Sequence, residues 1–183
     1  MIEEKPALLR LRIKVYLGML GISESCVWDE PLVITKNKGV TNRPKKPDLI
    51  VLRDGGIWWW EMMARKNAVS SSDIKGIFKE KIEKVQNADV VKIVRKDGEK
   101  EVNDKKVTKT TIICGEGGFT APAYTFSREH NLDLKRPEDL KVVVVASKRV
   151  SNARLLGIEI RVVPEGSKET FYAPKEVVLP ELH

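Results

Sequence analysis

The sequence predicts a mixed α/β (α+β) fold, in which helices flank a β-sheet and a β-rich C-terminal extension follows. Two apolar runs around an Asp-Gly-Gly turn, within residues 48–64, are typical of a β-hairpin. A helical stretch separates this hairpin from the buried run TTIIC at residues 110–114. Because a helix between two strands favours a parallel crossover, the sheet is predicted to be mixed. The run VVVV at residues 142–145 adds a buried strand.

The chain begins with a predicted amphipathic helix over residues 5–20, started by Pro6 and ended by Gly21. The residues predicted to share its core face are Leu8, Leu11, Val15 and Met19. A short strand, PLVIT at residues 31–35, precedes KNKGVTNRPKKP, which we interpret as a basic loop. The hairpin then consists of DLIVLR at residues 48–53 and IWWWEMMA at residues 57–64.

A second helix, residues 72–87, is predicted after the capping cluster SSSD. Its expected core face consists of Ile74, Ile77, Phe78, Ile82 and Val85. Its expected basic flank consists of Lys75, Lys79, Lys81 and Lys84. The Asp97-Gly98 pair suggests a polar hairpin insertion within the ambiguous residues 88–108. The remaining predicted elements are a helix over 121–131 and strands at 141–147, 155–163 and 168–173.

The predicted organisation is a single domain, residues 1–183, with a core of about 5–147 and a tail of about 148–183. A net charge of +7 favours an anionic partner such as nucleic acid, although a Lys- and Glu-rich thermophile surface is the alternative. The sequence contains neither a run near the roughly 20 apolar residues of a membrane span nor a signal-peptide pattern. We therefore expect a cytoplasmic protein without membrane partners.

Two cysteines, Cys26 and Cys114, lie far apart without metal-ligand spacing, so we expect thiols and not a disulfide. Two histidines, His130 and His183, are too few to indicate a zinc site or a catalytic triad.

A single acid, Glu61, interrupts the apolar second strand of the hairpin. Since side chains alternate along a strand, Glu61 is expected to share a face with Trp59 and Met63. Folding at the Asp-Gly-Gly turn returns Glu61 close to Asp48 at the start of the first strand. Two converging carboxylates form a hard, oxygen-rich site suited to Mg²⁺ or Mn²⁺. The alternatives are a solvated turn acid at Asp48 and a half-exposed strand at Glu61.

Pro47-Asp48, a hairpin and then Glu61-Met62-Met63 resembles the motif of the PD-(D/E)XK nuclease superfamily. The resemblance implies a restriction-endonuclease-like sheet, with a core like that of Holliday-junction resolvases also fitting. It further implies that Asp48 and Glu61 hold the metal and that an acid of the first helix, Glu4 or Glu3, joins them. The family lysine, which helps to position the attacking water, would fall at position 63.

A second segment, TIICGEGGFTAPAYTFSREHNLDLKRPEDL, resembles the strand, Gly-Gly-Phe-Thr turn and helix of Mrr-like restriction endonucleases. Together the two resemblances cover about residues 5–140. The residues at the turn, Gly117, Gly118 and Phe119, are also explained by a structural turn with a buried ring. The predicted cap of the following helix is Thr120.

Position 63 departs from the family because it is Met63. Three interpretations stay open. A cation from elsewhere, such as Arg65, Lys66 or Lys75, replaces the lysine; a lysine-to-methionine substitution has disabled the enzyme; or the protein has lost cleavage and only binds.

The predicted function is a Mg²⁺- or Mn²⁺-dependent endonuclease that hydrolyses phosphodiester bonds in double-stranded or branched DNA, acting as a homodimer as many relatives do. The residues expected to contact phosphates are Lys36, Lys38, Arg43, Lys45, Lys46, Arg65, Lys66 and Lys75. The exception to a purely structural role of the three tryptophans is Trp59, a possible stacking surface for a base. The alternatives are a nuclease-like module that only binds, and a subunit whose catalytic partner lies elsewhere.

Overall fold

A computed structural model describes residues 6–53, 55–86, 88–98, 101–140, 142–146 and 158–162. The predicted mixed α+β fold is confirmed. The described helices are α1 (Pro6–Met19), α2 (Ser71–Ile77), α3 (Glu83–Gln86) and α4 (Ala121–Glu129), and a π-helical turn, Phe78–Ile82, joins α2 to α3. The described strands are β1 (Val27–Asp29), β2 (Leu32–Asn37), β3 (Val40–Thr41), β4 (Leu49–Arg53), β5 (Gly56–Met63), β6 (Asp89–Val94), β7 (Glu101–Cys114), β8 (Asp133–Lys135), β9 (Val142–Ala146) and β10 (Ile158–Val162).

The main sheet runs in the order β1-β4-β5-β7-β6-β2-β3, with β8 also paired to β7. The hairpin strands β4 and β5 are antiparallel, whereas β5 and β7 are parallel, as the intervening helix predicts. One long strand, β7, is shared by two parts of the sheet: its first half pairs with β6 and its second half with β5. The predicted strand TTIIC is therefore only the end of β7.

The predicted alternation along β5 is confirmed. Trp58 and Trp60 pack with α1 on one face of the sheet, whereas Trp59 packs on the other face with Val85 of α3. Met63 lies on that second face too, under α2 and α4. Residues two apart on a strand point the same way, so the tryptophans and methionines of β5 supply apolar side chains to both faces. Glu61 is thereby directed to the face covered by α2 and the π-helical turn.

The predicted core face of α1 is confirmed only at Val15, which is 5% exposed, and the main core stripe is a different one. The helix buries Leu9, Ile13 and Leu17 completely against β4 and β5. Leu11 and Met19, from the predicted face, are only half-buried. Apolar residues stand at many positions of α1, so periodicity alone allows more than one stripe, and the sheet selects the stripe that fits it.

The prediction of a basic loop after β2 is also wrong in part, because the first part of this segment forms a β-hairpin. β2 and β3 pair antiparallel around Lys38 and Gly39. The chain then returns along β2, where Lys45 and Val33 exchange two backbone hydrogen bonds of 2.8 and 2.9 Å. This return leads directly to Asp48.

The Gly-rich turn after β7 is structural. Gly115 N donates to Met63 O over 3.0 Å, and Val69 N donates to Gly118 O over 2.8 Å, so the turn ties the end of β7 to the segment after β5. A Cβ at position 117 would lie 2.2 Å from the carbonyl carbon of Asn67, which leaves room only for glycine. Thr120 caps α4 as predicted, accepting from Ala123 N. Phe119, expected to be buried, is half-buried.

The predicted strand at 141–147 is β9, and the one at 155–163 contains β10, which pairs with β9 in parallel. The predicted strand at 168–173 lies outside the described residues, as do Glu3 and Glu4. Cys26 is half-buried and Cys114 is buried, and neither forms a disulfide. Within the described ranges, every helix is too short or too polar to cross a bilayer.

Candidate functional site

The two predicted acids meet at the open end of the β4–β5 hairpin. The antiparallel register pairs Leu49 with Trp60, and one step farther along it places Asp48 opposite Glu61. The hairpin therefore brings together two carboxylates that lie 13 positions apart in the sequence. Both belong to the face of the sheet that carries Trp59, because side chains two apart share a face.

The carboxyl group of Glu61 is buried, and Trp59 and Lys81 each contact one of its oxygens. Glu61 as a whole is only 2% exposed. Trp59 Nε1 donates to Glu61 Oε1 over 2.9 Å, and Lys81 Nζ lies 3.4 Å from Glu61 Oε2. A buried carboxylate needs such partners, since desolvation of an unpaired charge is costly. The alternative of a half-exposed strand at Glu61 is therefore wrong, because the acid is buried and paired.

Burial raises the pKa of Glu61 from 4.5 to about 8, with the charge of Asp48 as the second cause. A hydrogen bond between the two carboxyl groups raises the pKa as well. Lys81 and the Trp59 indole act in the opposite direction and do not cancel the effect. Without a metal ion, the buried Glu61 therefore keeps a proton beside Asp48, as one of two carboxyl groups sharing a site does.

Asp48 is held by backbone contacts. Its Oδ2 accepts a hydrogen bond from Met62 N at 2.7 Å, one residue beyond Glu61. On the other side, Arg10 of α1 donates to the carbonyl oxygen of Asp48 and forms an ion pair with Asp29 of β1 at 2.9 Å. Helix α1 thereby fixes the backbone just before β4, which keeps the carboxylate of Asp48 next to β5.

Lys81 is part of the site, although sequence analysis assigned it only to the basic flank of a helix. It belongs to the π-helical turn, and its Nζ also lies 3.2 Å from Lys46 O. The lysine is 33% exposed, so it connects the buried acid pair to the surface. A π-helical turn inserts an extra residue and rotates the following side chains. That rotation has no reliable sequence signal, which is why the contact could not be predicted.

The predicted replacements for the family lysine lie elsewhere. Arg65 forms an ion pair of 2.9 Å with Asp73, whose pKa is held at about 2 by the Ser70 backbone and by Arg65. Lys75 Nζ lies 5.6 Å above the ring centre of Phe126, and Lys66 is exposed beyond the end of β5. Arg65 and Lys75 thus have partners other than Glu61.

Met63 is 7% exposed and belongs to an apolar cluster under α2. Its neighbours there include Val69, Ile74 and Phe78. The position of the family lysine is therefore occupied by a core side chain, although it remains on the same face of β5 as Glu61.

A basic cleft of about 390 Å³ lies between the chain from the end of β2 to Lys45 and the helical segment formed by the π-helical turn and α3. Its lining residues are Asn37, Asn42, Arg43, Lys45, Lys79, Glu83 and Lys84. Among the described residues, its four cations form no ion pair. Lys46 and Lys81 link this cleft to the acid pair: they belong to the two chain segments that line it, and Lys81 Nζ contacts both Lys46 O and Glu61. Lys36, Lys38 and Lys46 are exposed nearby on the same stretch of chain.

Other acids near Asp48 are already neutralised. Asp29 is paired with Arg10 and Lys14, and Glu30 is paired with Lys96. In the described part of the chain, no cluster of three or more His, Cys, Asp or Glu side chains is arranged to hold a metal ion. The site that the described residues offer to a cation is therefore a pair of carboxylates.

A larger cavity, of about 840 Å³, lies between α1, β1 and the turn after β6. Its lining includes Leu11, Val15, Trp28 and the paired residues Lys14 and Asp29, but neither Asp48 nor Glu61. The candidate site is therefore defined by the charged groups around Asp48 and Glu61, and the larger cavity is not part of it.

The idea of Trp59 as a base-stacking surface is wrong. Trp59 is 1% exposed and its indole is hydrogen-bonded to Glu61. It fixes an acid and forms the floor of the site.

No family model matches the chain, and no curated protein matches its sequence. A crystal structure described as a protein of unknown function, AF1548, aligns with 81% of this chain at 12% identity and a TM-score of 0.42. The alignment spans 64% of that protein, less than two thirds of its length. This TM-score is too low to support an inference about the fold or the function of this chain.

Proposed function

We propose that this protein is a metal-dependent endonuclease, which hydrolyses phosphodiester bonds in DNA at Asp48 and Glu61. The observation that carries the proposal is the acid pair itself. Two carboxylates from adjacent strands meet where one is buried, and the pKa of Glu61 is raised to about 8. Two converging carboxyl groups that resist ionising together are suited to a divalent cation, which would take the place of the proton on Glu61.

The donor set fits Mg²⁺ or Mn²⁺. These ions prefer oxygen ligands, and Mg²⁺ commonly uses one or two carboxylates together with waters and phosphate oxygens. Asp48 and Glu61 would be the protein ligands, and Glu4, outside the described residues, is a proposed third. When bound, the ion would polarise a phosphodiester and lower the pKa of a coordinated water.

Lys81 is the best candidate for the cation that PD-(D/E)XK nucleases carry at the position of Met63. Its Nζ already contacts Glu61, and the lysine is exposed enough to reach an incoming phosphate. The first of the three interpretations of Met63 therefore gains support, with a different residue from those expected. In this role Lys81 orients the phosphate and stabilises the charge that develops on its oxygens.

The basic cleft would hold the DNA backbone next to the acid pair. Arg43 and Lys45 on one wall face Lys79 and Lys84 on the other. These cations form no ion pair with a described residue, so they are available to replace the counterions of phosphates, which makes binding sensitive to salt. We also propose a homodimer, since two acid pairs would be needed to cut both strands at once.

The second candidate function is a nucleic-acid-binding module without hydrolysis. Met63 favours it, because an apolar side chain occupies the place of a catalytic lysine. This module would bind DNA in a salt-dependent way that survives loss of either acid, whereas the endonuclease would not cut without them.

The test incubates supercoiled plasmid and a four-way DNA junction with the protein and Mn²⁺ or Mg²⁺. The variants are Asp48→Asn and Glu61→Gln, with Glu129→Gln on the exposed side of α4 as the control. We expect nicked or linear DNA from the native chain and the control, and none from the acid variants. A native chain that binds DNA but leaves every substrate intact would select the binding module. Cutting that persists in both acid variants would overturn the proposed site.

A further inference from the structure

The segment expected to be a basic loop contains a narrow two-stranded β-ribbon. β2 and β3 pair Lys36 with Thr41 and Asn37 with Val40, which leaves only two residues in the turn. Those residues, Lys38 and Gly39, have φ values of 50° and 81°. Positive φ at both central positions is the geometry of a type I′ turn, whose twist matches that of the strands it joins.

The base of this ribbon is fixed to the main sheet. Thr35 is fully buried, and Asn42 bonds to it twice, through its backbone N at 2.8 Å and through Nδ2 at 3.1 Å. Val33, also fully buried, exchanges backbone hydrogen bonds with Lys45. A ribbon anchored on both strands is preorganised, so presenting its tip to a partner costs little conformational entropy.

The tip is exposed and basic, and it carries one apolar side chain. Lys36 and Lys38 are exposed and form no ion pair with a described residue, and Val40 is 66% exposed. The cations suit a phosphate backbone, whereas the apolar side chain of Val40 at the tip suits the edge of a base, such as the methyl group of thymine.

We propose that the β2–β3 ribbon enters the major groove of a DNA duplex while the basic cleft holds the adjoining backbone. The inference rests on the proposed function and names its substrate as B-form duplex DNA. The major groove of B-DNA, about 12 Å wide, admits a two-stranded ribbon. The major groove of an RNA duplex is too narrow for side chains to read.

Two further observations favour a duplex. Binding of single strands commonly uses aromatic side chains that stack on bases, and the residues lining the cleft include none. Eight residues lead from Val40 to Asp48. Their extended length is at most about 29 Å, so the tip reaches no more than about eight base pairs from the phosphate at the acid pair.

The first experiment measures binding of the full chain, without divalent metal, to a DNA duplex, an RNA duplex and a single DNA strand of one sequence. Fluorescence anisotropy is followed over a series of salt concentrations. We expect the DNA duplex to bind at least about tenfold more tightly than the others, and Lys38→Ala to reduce the salt slope by about one. The double variant Lys36→Ala/Lys38→Ala should reduce it by about two. Arg128→Ala, on the exposed surface of α4, should leave it unchanged.

The second experiment asks which groove is occupied. Methylation of guanine N7 alters only the major-groove edge, so it should weaken binding by the native chain and have less effect on Lys36→Ala/Lys38→Ala. Equal affinity for RNA and DNA duplexes, no binding to either, or indifference to N7 methylation would each overturn the inference. A native salt slope in both lysine variants would do the same. If these binding experiments fail but the protein still cuts DNA with metal, the ribbon inference is wrong and the proposed endonuclease function is kept. If they succeed but the protein does not cut DNA, the ribbon inference is kept and the endonuclease function is wrong.

Discussion

Lys81 Nζ lies 3.4 Å from Oε2 of Glu61, and this contact joins a surface cation to a buried acid. The same amine lies 3.2 Å from the carbonyl oxygen of Lys46, so it bridges the two walls of the basic cleft. In the proposed endonuclease, one side chain would serve two states: Lys81 would compensate Glu61 when no metal is bound, and it would turn to a phosphate when a metal takes over that compensation.

The location of the site cation can be tested by moving it. Lys81→Met should reduce metal-dependent DNA cutting by at least about 100-fold, because it removes a charge that stabilises the reacting phosphate. Met63→Lys in the same background should restore part of the loss, since residue 63 shares the Glu61 face and a lysine stem can reach along it. Initial rates of plasmid nicking measure both effects, with Arg128→Met on the exposed surface of α4 as the control for loss of one helix cation. Nicking at the native rate in Lys81→Met would exclude this role for the residue.

The raised pKa of Glu61 predicts a pH-dependent stability. The folded protein keeps Glu61 protonated below pH of about 8, whereas the unfolded chain does so only below 4.5. Folding therefore takes up a proton between these values, and the free energy of unfolding falls as pH rises through them. The contribution is at most about 1.4 kcal/mol per pH unit.

Urea unfolding of the native chain and Glu61→Gln at several pH values measures this contribution as the difference between the two curves. Mn²⁺ should flatten the native curve near pH 8, because it binds the ionised pair. Glu129→Gln should follow the native curve. Parallel curves for the native chain and Glu61→Gln would show that Glu61 titrates normally.

Binding of metal can be followed without any nuclease activity through Trp59. Its indole donates to Glu61 over 2.9 Å, so a paramagnetic Mn²⁺ at the acid pair should quench its fluorescence. We expect saturable quenching that Mg²⁺ reverses, and loss of most of it in Trp59→Phe. Calorimetry should give Mn²⁺ affinity at least about tenfold lower in Trp59→Phe, because the hydrogen bond orients a ligand. Trp28→Phe should keep the native quenching; if it alone removes the signal, Mn²⁺ binds elsewhere.

The acid pair could be predicted because its signals are local. An Asp-Gly-Gly turn and a period of two determine which strand ends meet and which face each side chain takes, so Asp48 and Glu61 followed from the sequence. The ribbon of β2 and β3 did not, since a non-glycine residue, Lys38, occupies a left-handed position that sequence rules assign to Asn, Asp or Gly.

Features that depend on packing between distant segments were missed. The contact of Lys81 depends on a π-helical turn, and the core stripe of α1 depends on which of several apolar stripes fits β4 and β5. Both choices are made by the tertiary structure, which selects among local conformations of similar energy. The sequence alone could identify the acids of the site, but not the cation beside them.

The turn that ties β7 to the segment after β5 offers a test of the fold around the site. Gly117→Ala would place a Cβ 2.2 Å from the carbonyl carbon and 2.4 Å from the carbonyl oxygen of Asn67. Because both atoms are backbone, the clash can be relieved only by moving the turn, and we expect a loss of at least about 2 kcal/mol in the free energy of unfolding. Gly76→Ala is the matched control, since a Cβ at that helical position meets no atom within 4 Å. It should stabilise the protein by about 0.5–1 kcal/mol through better helix propensity. Urea unfolding measures both variants, and equal effects would mean that the turn does not pass as close to Asn67 as the structure places it.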